Sequence, residues 1–373
     1  MIPPMPMRKR IAQLLKGNPG LKARDIAKAL ECDRKEVTKC LYDHLDVFVQ
    51  DDNFVWQLKK DASFVLEFTS TGTWITQEHF EKSLLKSGSP LDAIHGHVVL
   101  KIQKERKVLL CAAARILALA NQLIFAKKTV EIDFTENKST LSYLNRSGFI
   151  DRLDRAVKVL PRRPPTSAAQ QYKANNAGLV ELLEIKPSSS ENPANESVPE
   201  SIKHSFVEAF GEQHANKLFT LVSEFVGNVE EHSDTQIPGF AGLQSYRRYG
   251  STCLVAVISD SGKGICATLR PALDVHFPEI ANQFPGSQKI SDPMLIIHAM
   301  RYRGLSRLGK GRGAGLNASQ YQAEKLNATI KIRQQNFSVA LTFKNQSLYG
   351  HEWSLDLPKL SGTHVVFEFT LDI

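Results

Sequence analysis

The chain has 373 residues and a mass of 41.6 kDa, more than one domain of ordinary size holds at ~100–200 residues each. Hydrophobic residues make up 42% and charged residues 23%, so a packed core is expected and global disorder is excluded. The net charge of +8 is uneven: residues 1–60 hold 12 Lys and Arg against 8 Asp and Glu, residues 61–186 hold 18 against 13, and residues 187–373 hold 17 against 18. An acidic polymer should therefore meet the N-terminal half.

No apolar run reaches the ~18–20 residues of a membrane span, and no membrane partner is expected. The strongest run, residues 108–125, carries Arg115, Asn121 and Gln122 and reads as a buried helix. Arg8, Lys9 and Arg10 are not followed by an apolar stretch with a small-residue cleavage site, so a secretory signal is not expected. Cys32, Cys40, Cys111, Cys253 and Cys266 form no CxxC pair, which disfavours disulfide and zinc frameworks and suits reduced thiols in the cytoplasm.

Three blocks emerge: residues 1–60, 61–165 and 175–373. A proline-rich stretch at 161–165 closes the second, and residues 187–199 (PSSSENPANESVP) read as a solvated, linker-like loop within the third. In the first block, residues 8–16, 22–30 and 34–44 have helical periodicity. Asp33 is the expected N-cap of the third helix, and Val37, Leu41 and Leu45 its buried stripe. Residues 47–50 and 54–58 flank Asp51, Asp52 and Asn53 as a hairpin. This order resembles a winged helix-turn-helix, whose third helix enters the major groove. The resemblance implies DNA contacts from Arg34, Lys35, Thr38 and Lys39; winged helices also dock proteins, and that alternative stays open.

In the second block residues 83–96 show no clear pattern and 98–122 look helical. Residues 129–134 (TVEIDF) alternate as a strand, and 141–153 form a helix broken at Gly148. The order of elements is similar to STAS-like folds, which implies a protein partner for an α/β domain. His95 and His97 read as loop residues without a third metal ligand.

The third block carries the chemistry. In residues 218–233 (LFTLVSEFVGNVEEHS), Glu224, Asn228 and His232 recur every four residues on one helical face; such a face is also an ordinary solvated one. Residues 254–265 (LVAVISDSGKGI) run an apolar strand into Asp260, then Gly262 and Gly264. An acid followed by glycines lets backbone approach a flat ligand while the carboxylate accepts a hydrogen bond, although a tight turn needs the same residues. Residues 309–316 (GKGRGAGL) place Gly311, Gly313 and Gly315 ahead of a helix over 317–326, a phosphate site with Lys310 and Arg312 adding charge. The spacing is neither a P-loop nor a dinucleotide fingerprint. Gly362 and Thr363 open a last alternating strand over 361–371.

These four pieces, in this order, resemble the GHKL superfamily of gyrase, heat-shock chaperones, histidine kinases and MutL across roughly residues 180–373. The resemblance implies an α+β protein whose C-terminal part is a Bergerat-type sandwich, a mixed sheet with helices on one face. It implies ATP and Mg as ligands. Asn228 would hold magnesium, Glu224 would orient or deprotonate the attacking water, and His232 would line the site. Asp260 would accept the adenine amino group beside Gly262 and Gly264. Gly311, Gly313, Gly315 and Leu316 would wrap the phosphates with Lys310 and Arg312, and Thr363 would complete the adenine end. Residues 266–310 would form a mobile lid, with Ser306, Arg307 and Lys310 reaching the γ-phosphate.

A transducer of the kind that follows the ATPase domain in gyrase and MutL is not expected, and His204 reads as a poor phosphoacceptor. Two functions follow from the resemblance. In the first, nucleotide binding or slow hydrolysis changes lid shape or homodimerisation and so controls DNA or partner binding. In the alternative, the chain is an anti-sigma-type serine/threonine kinase acting on a STAS-like partner.

Overall fold

A computed structural model describes residues 5–45, 47–59, 63–172, 179–186, 193–248, 250–302, 305 and 315–371. Residues 7–58 form α1 (Met7–Gly17), α2 (Ala23–Ala29) and α3 (Arg34–Asp43), then β1 (Phe48–Gln50) paired antiparallel with β2 (Trp56–Leu58). Asp33 caps α3 as expected: its Oδ1 accepts from the Lys35 N–H at 2.6 Å. Ile11, Leu15, Ile26, Val37, Leu41, Phe48 and Trp56 make a small separate core. Leu45 is not part of it. The helix ends at Asp43, so the periodicity that would turn Leu45 inward has stopped, and the side chain is exposed.

The middle of the chain contributes β3 (Ser63–Phe68), β4 (Trp74–Ile75), α4 (Gln77–Ser87), β5 (His97–Ile102) and β6 (Lys107–Val108). It continues with α5 (Leu110–Phe125), β7 (Thr129–Asp133), α6 (Lys138–Arg146), α7 (Phe149–Arg152), β8 (Lys158–Leu160) and α8 (Ala168–Gln171). Strands β3, β5, β7 and β8 lie side by side, all parallel. Gly148, at φ 78°, separates α6 from α7 as the sequence indicates. Two expectations change here. The helix expected over 98–122 begins only at Leu110, because His97–Ile102 alternates buried with half-buried residues at period two and carries β-branched Val98 and Val99. His97 is consequently the first residue of a strand, not a loop residue.

The remainder gives β9 (Leu179–Ile185), α9 (Pro193–Phe210), α10 (Ala215–His232), β10 (Gly239–Arg248), β11 (Ser251–Ser259), α11 (Ile265–His276) and α12 (Pro278–Gln283). Then come α13 (Ser291–Arg301), α14 (Gly315–Lys325), β12 (Thr329–Arg333), β13 (Ser338–Lys344), β14 (Ser347–Ser354) and β15 (His364–Leu371). Seven strands form one sheet in the order β14-β13-β12-β15-β11-β10-β9. Every described pairing in it is antiparallel, so the sheet is not the mixed one expected. The segment expected to be a loop to residue 199 is helical from Pro193 onward; proline fits the first turn, where its missing N–H leaves no bond unmade. Of the expected lid, residues 266–302 and 305 are described. Residues 265–301 are largely α11, α12 and α13, and Leu269, Leu273, Leu295, Ile296 and Met300 are buried in the core at helical spacing. A segment this apolar is held by its own burial.

The strand β11 explains the layering. Leu254, Ala256 and Ile258 face a core built with α9, α10, α11, α13 and α14, while Cys253, Val255 and Val257 face a second core built with α5 and the parallel sheet. Helices thus cover both faces of the large sheet, rather than one. Nearly all of α5 is buried, because it lies between two sheets. The molecule is mixed α+β, and residues 63–160 share one core with strands of the C-terminal sheet.

Candidate functional site

Asp260 stands at the end of β11, where β15 runs alongside in the Ser259–His364 register. Its N–H donates to the Thr363 carbonyl at 2.9 Å. Its carboxylate is 5% exposed; Oδ1 accepts from the Gly262 N–H at 2.6 Å and Oδ2 from the Thr363 N–H at 3.2 Å. Burial pushes the acid up to about 6 against these bonds, so at neutral pH it is mainly an anion. The Thr363 side chain is a third hydrogen-bond donor to the carboxylate, which with about four lone-pair sites can accept one bond more.

The glycines here answer to the protein's own backbone. A Cβ on Gly262 would lie 1.9 Å from the Ser233 carbonyl oxygen, and one on Gly362 would lie 2.1 Å from that of Asp260. Gly264, at φ +84°, faces the Gln334 Oε1, which accepts from the Ile265 N–H at 2.8 Å. Three strand and helix ends are thereby drawn into one compact turn.

The close approach to Ser233 fixes α10 against this turn. The Lys263 N–H donates to the Ser233 carbonyl at 3.0 Å, and Lys263 pairs with Asp234. At ~1.5 Å per residue, Asn228 lies about 7–8 Å back along the helix axis from Ser233, and Glu224 about 13–14 Å. Both are half-buried. Burial, then the charge of Glu231, raises the Glu224 acid above its ordinary value. Val222, Phe225, Val226 and Val229 bury the opposite side of α10, as the sequence indicates. Helix α14 packs directly on α10 and brings its first turn, Gly315 and half-buried Leu316, to this side of the sheet.

The structure therefore brings together Asp260, Gly262, Gly264 and Thr363, with the α10 face and the start of α14 adjoining. The side chain of His232, and Ser306, Arg307, Lys310, Gly311, Arg312 and Gly313, lie outside the described residues.

Several contributors escaped sequence reasoning. Gln122 on α5 donates to Ser261 Oγ and to the Ser361 carbonyl, both at 2.9 Å, and accepts from the Ser361 N–H at 3.0 Å. His364 is buried, and burial followed by the charges of Arg115 and Arg333 lowers its pKa to about 3. It is therefore neutral. Its Nε2–H donates to the Ser361 carbonyl at 2.9 Å, leaving Nδ1 to accept from Ser259 Oγ. The one hint in the sequence was the polar set Arg115, Asn121 and Gln122 placed in a helix that is otherwise apolar.

The donor set suits a polar ligand. Ser223 and Ser233 Oγ, Ser319 Oγ, Gln320 Oε1 and Gln334 Nε2 are buried without a hydrogen-bond partner among the described residues, and all sit on α10, on α14 or beside the 260–264 turn. Each such group costs ~1–3 kcal/mol unless something completes it. Magnesium on a nucleotide needs one or two protein oxygens rather than an all-protein cage. The absence of any cluster of three or more His, Cys, Asp or Glu among the described residues is compatible with that.

At the N-terminus, Arg34, Lys35 and Lys39 are exposed along α3 and Thr38 is half-buried. No helix among the described residues is long and apolar enough to cross a membrane. No protein-family model, no curated protein and no solved structure matches this chain.

Proposed function

We propose that the chain is a cytoplasmic, GHKL-class ATP-binding regulator in which residues 175–373 form a Bergerat-type nucleotide domain. The observation that carries this reading is the buried Asp260 carboxylate, ionised at neutral pH and set in a turn of three close-packed glycines against the end of α10. Asp260 accepts the adenine amino group, with Thr363 beside it. Asn228 holds magnesium, which when bound offsets triphosphate charge. Glu224, with its raised pKa, serves as general base toward water. Gly311, Gly313 and Gly315, with Lys310, Arg312 and Leu316, enclose the phosphates.

Residues 1–60 act as a winged helix whose Arg34, Lys35, Thr38 and Lys39 contact DNA, and the middle α/β segment, itself STAS-like, receives a protein partner. Coupling between the parts is supported by Gln122, which ties α5 of the middle segment to the Ser261 hydroxyl and to the Ser361 backbone beside the proposed adenine turn.

The test is incubation with γ-phosphate-labelled ATP, with and without duplex DNA. Wild-type protein should release labelled phosphate. Glu224→Ala should release it at least ~10²-fold more slowly while binding ATP equally well. Unchanged release would remove Glu224 from its role, and label retained on protein would favour the serine/threonine kinase alternative.

A further inference from the structure

A cleft of about 670 Å³ opens between the N-terminal module and the parallel sheet, within the range of ~300–1,000 Å³ typical of ligand sites. Three ammonium groups line it from three different elements. Lys16 lies in the last turn of α1, Lys59 follows β2, and Lys127 follows α5. All three are exposed, and none is ion-paired among the described residues. The described lining contains no carboxylate. Nearby Asp92 is occupied by Lys9 at 3.3 Å.

The floor is built for a fixed shape. His97, at the head of β5, has its Nδ1 2.7 Å from Ser63 Oγ, at the head of β3, which orients the ring. Lys128 Nζ donates to the Ala93 and His95 carbonyls at 2.5 and 2.8 Å, pinning the loop that forms one wall. Burial, then the charges of Lys9 and Lys16, lowers the Lys128 pKa, with Asp92 opposing. Leu58 adds an apolar side. Like charges gathered on a shaped, half-enclosed surface disfavour the empty state and attract an anion.

We propose that this cleft binds phosphate groups carried on an apolar ring system, as in a nucleotide or a nucleic acid strand. The site is separate from the α3 face and from the Asp260 turn, and does not depend on the nucleotide reading.

The test uses the full chain and two probes: a short fluorescein-labelled oligonucleotide followed by anisotropy, and pyrophosphate followed by calorimetry. The triple variant Lys16→Ala/Lys59→Ala/Lys127→Ala should weaken at least one probe tenfold or more. For the oligonucleotide the slope of log affinity against log salt should shrink by about two to three. Weakening of the oligonucleotide alone identifies a strand as the source, and weakening of pyrophosphate identifies a small phosphorylated ligand. The proposal is overturned if neither probe binds wild-type protein, or if the triple variant binds both as tightly. It is also overturned if Lys86→Ala/Lys138→Ala/Lys344→Ala, outside the cleft, loses as much.

Discussion

Replacing Gly262 or Gly362 by alanine is expected to destabilise the protein by more than ~4 kcal/mol, the range reserved for backbone conflicts and broken buried networks. The new Cβ at Gly262 would overlap the Ser233 carbonyl oxygen at 1.9 Å, and the Cβ at Gly362 that of Asp260 at 2.1 Å. Neither neighbour is a flexible side chain that can swing away. At Gly362 the backbone also sits at φ +92°, where an L side chain is disfavoured. Relief requires moving α10 or parting β11 from β15 at the point where the turn begins. Gly227→Ala is the control: it lies inside α10 with nothing within 4 Å of the added carbon, so it should be neutral or stabilising by up to ~1 kcal/mol. Denaturant unfolding followed by circular dichroism measures all three. A change within about 1 kcal/mol for Gly262→Ala and Gly362→Ala would show that the turn is looser than described.

Glu81→Gln should cost ~3–5 kcal/mol by the same measurement. Glu81 Oε1 accepts from Arg115 Nη1 at 2.6 Å and from Arg333 Nε at 3.1 Å, and it is the sole ion-pair partner of either guanidinium among the described residues. Arg115 is 4% exposed and Arg333 fully buried. Burial, opposed by Glu81, lowers the Arg333 pKa. Without the carboxylate two buried cations face each other across the joint between α4, α5 and β12. Replacing all three together, with Glu81→Leu, Arg115→Met and Arg333→Met, should recover most of the loss, since an apolar trio needs no counter-charge. A triple variant less stable than Glu81→Gln would contradict this account. Next to the triad, Lys331 draws the Glu78 acid down to about 2 although burial alone would raise it; the joint is thus ionic on two sides.

What could be read in advance follows how far apart the interacting residues are. The Asp33 cap, the hairpin after α3, the Gly148 break and the strand running into Asp260 are each encoded within a few residues, and the structure contains them. The continuous apolar stretch Leu254–Ile258 also held a signal that both faces of its strand are covered, but not by what. That cover is α5, and the contacts that fix it join residues 139 and 239 apart, with the Arg333–Glu81 pair 252 apart. No local pattern names such partners. The error over residues 98–122 is of another kind: a short strand ran straight into an apolar helix, and their periods merged. The helices within residues 265–301 were not read in advance, because glycine motifs on either side drew attention from the helical burial of Leu269, Leu273, Leu295 and Met300.

The proposed chemistry rests on Asp260 reading an adenine. Calorimetric titration of the full chain with Mg-ATP and Mg-GTP, for wild type and Asp260→Asn, tests it most directly. Wild-type protein should prefer ATP by about 10–100-fold, the ~1.5–3 kcal/mol of a hydrogen bond to a buried charge, and the preference should fade below about pH 6 as the carboxylate takes up its proton. Asp260→Asn should abolish the preference. Equal affinity of wild-type protein for the two nucleotides, or no binding of either, would contradict the account.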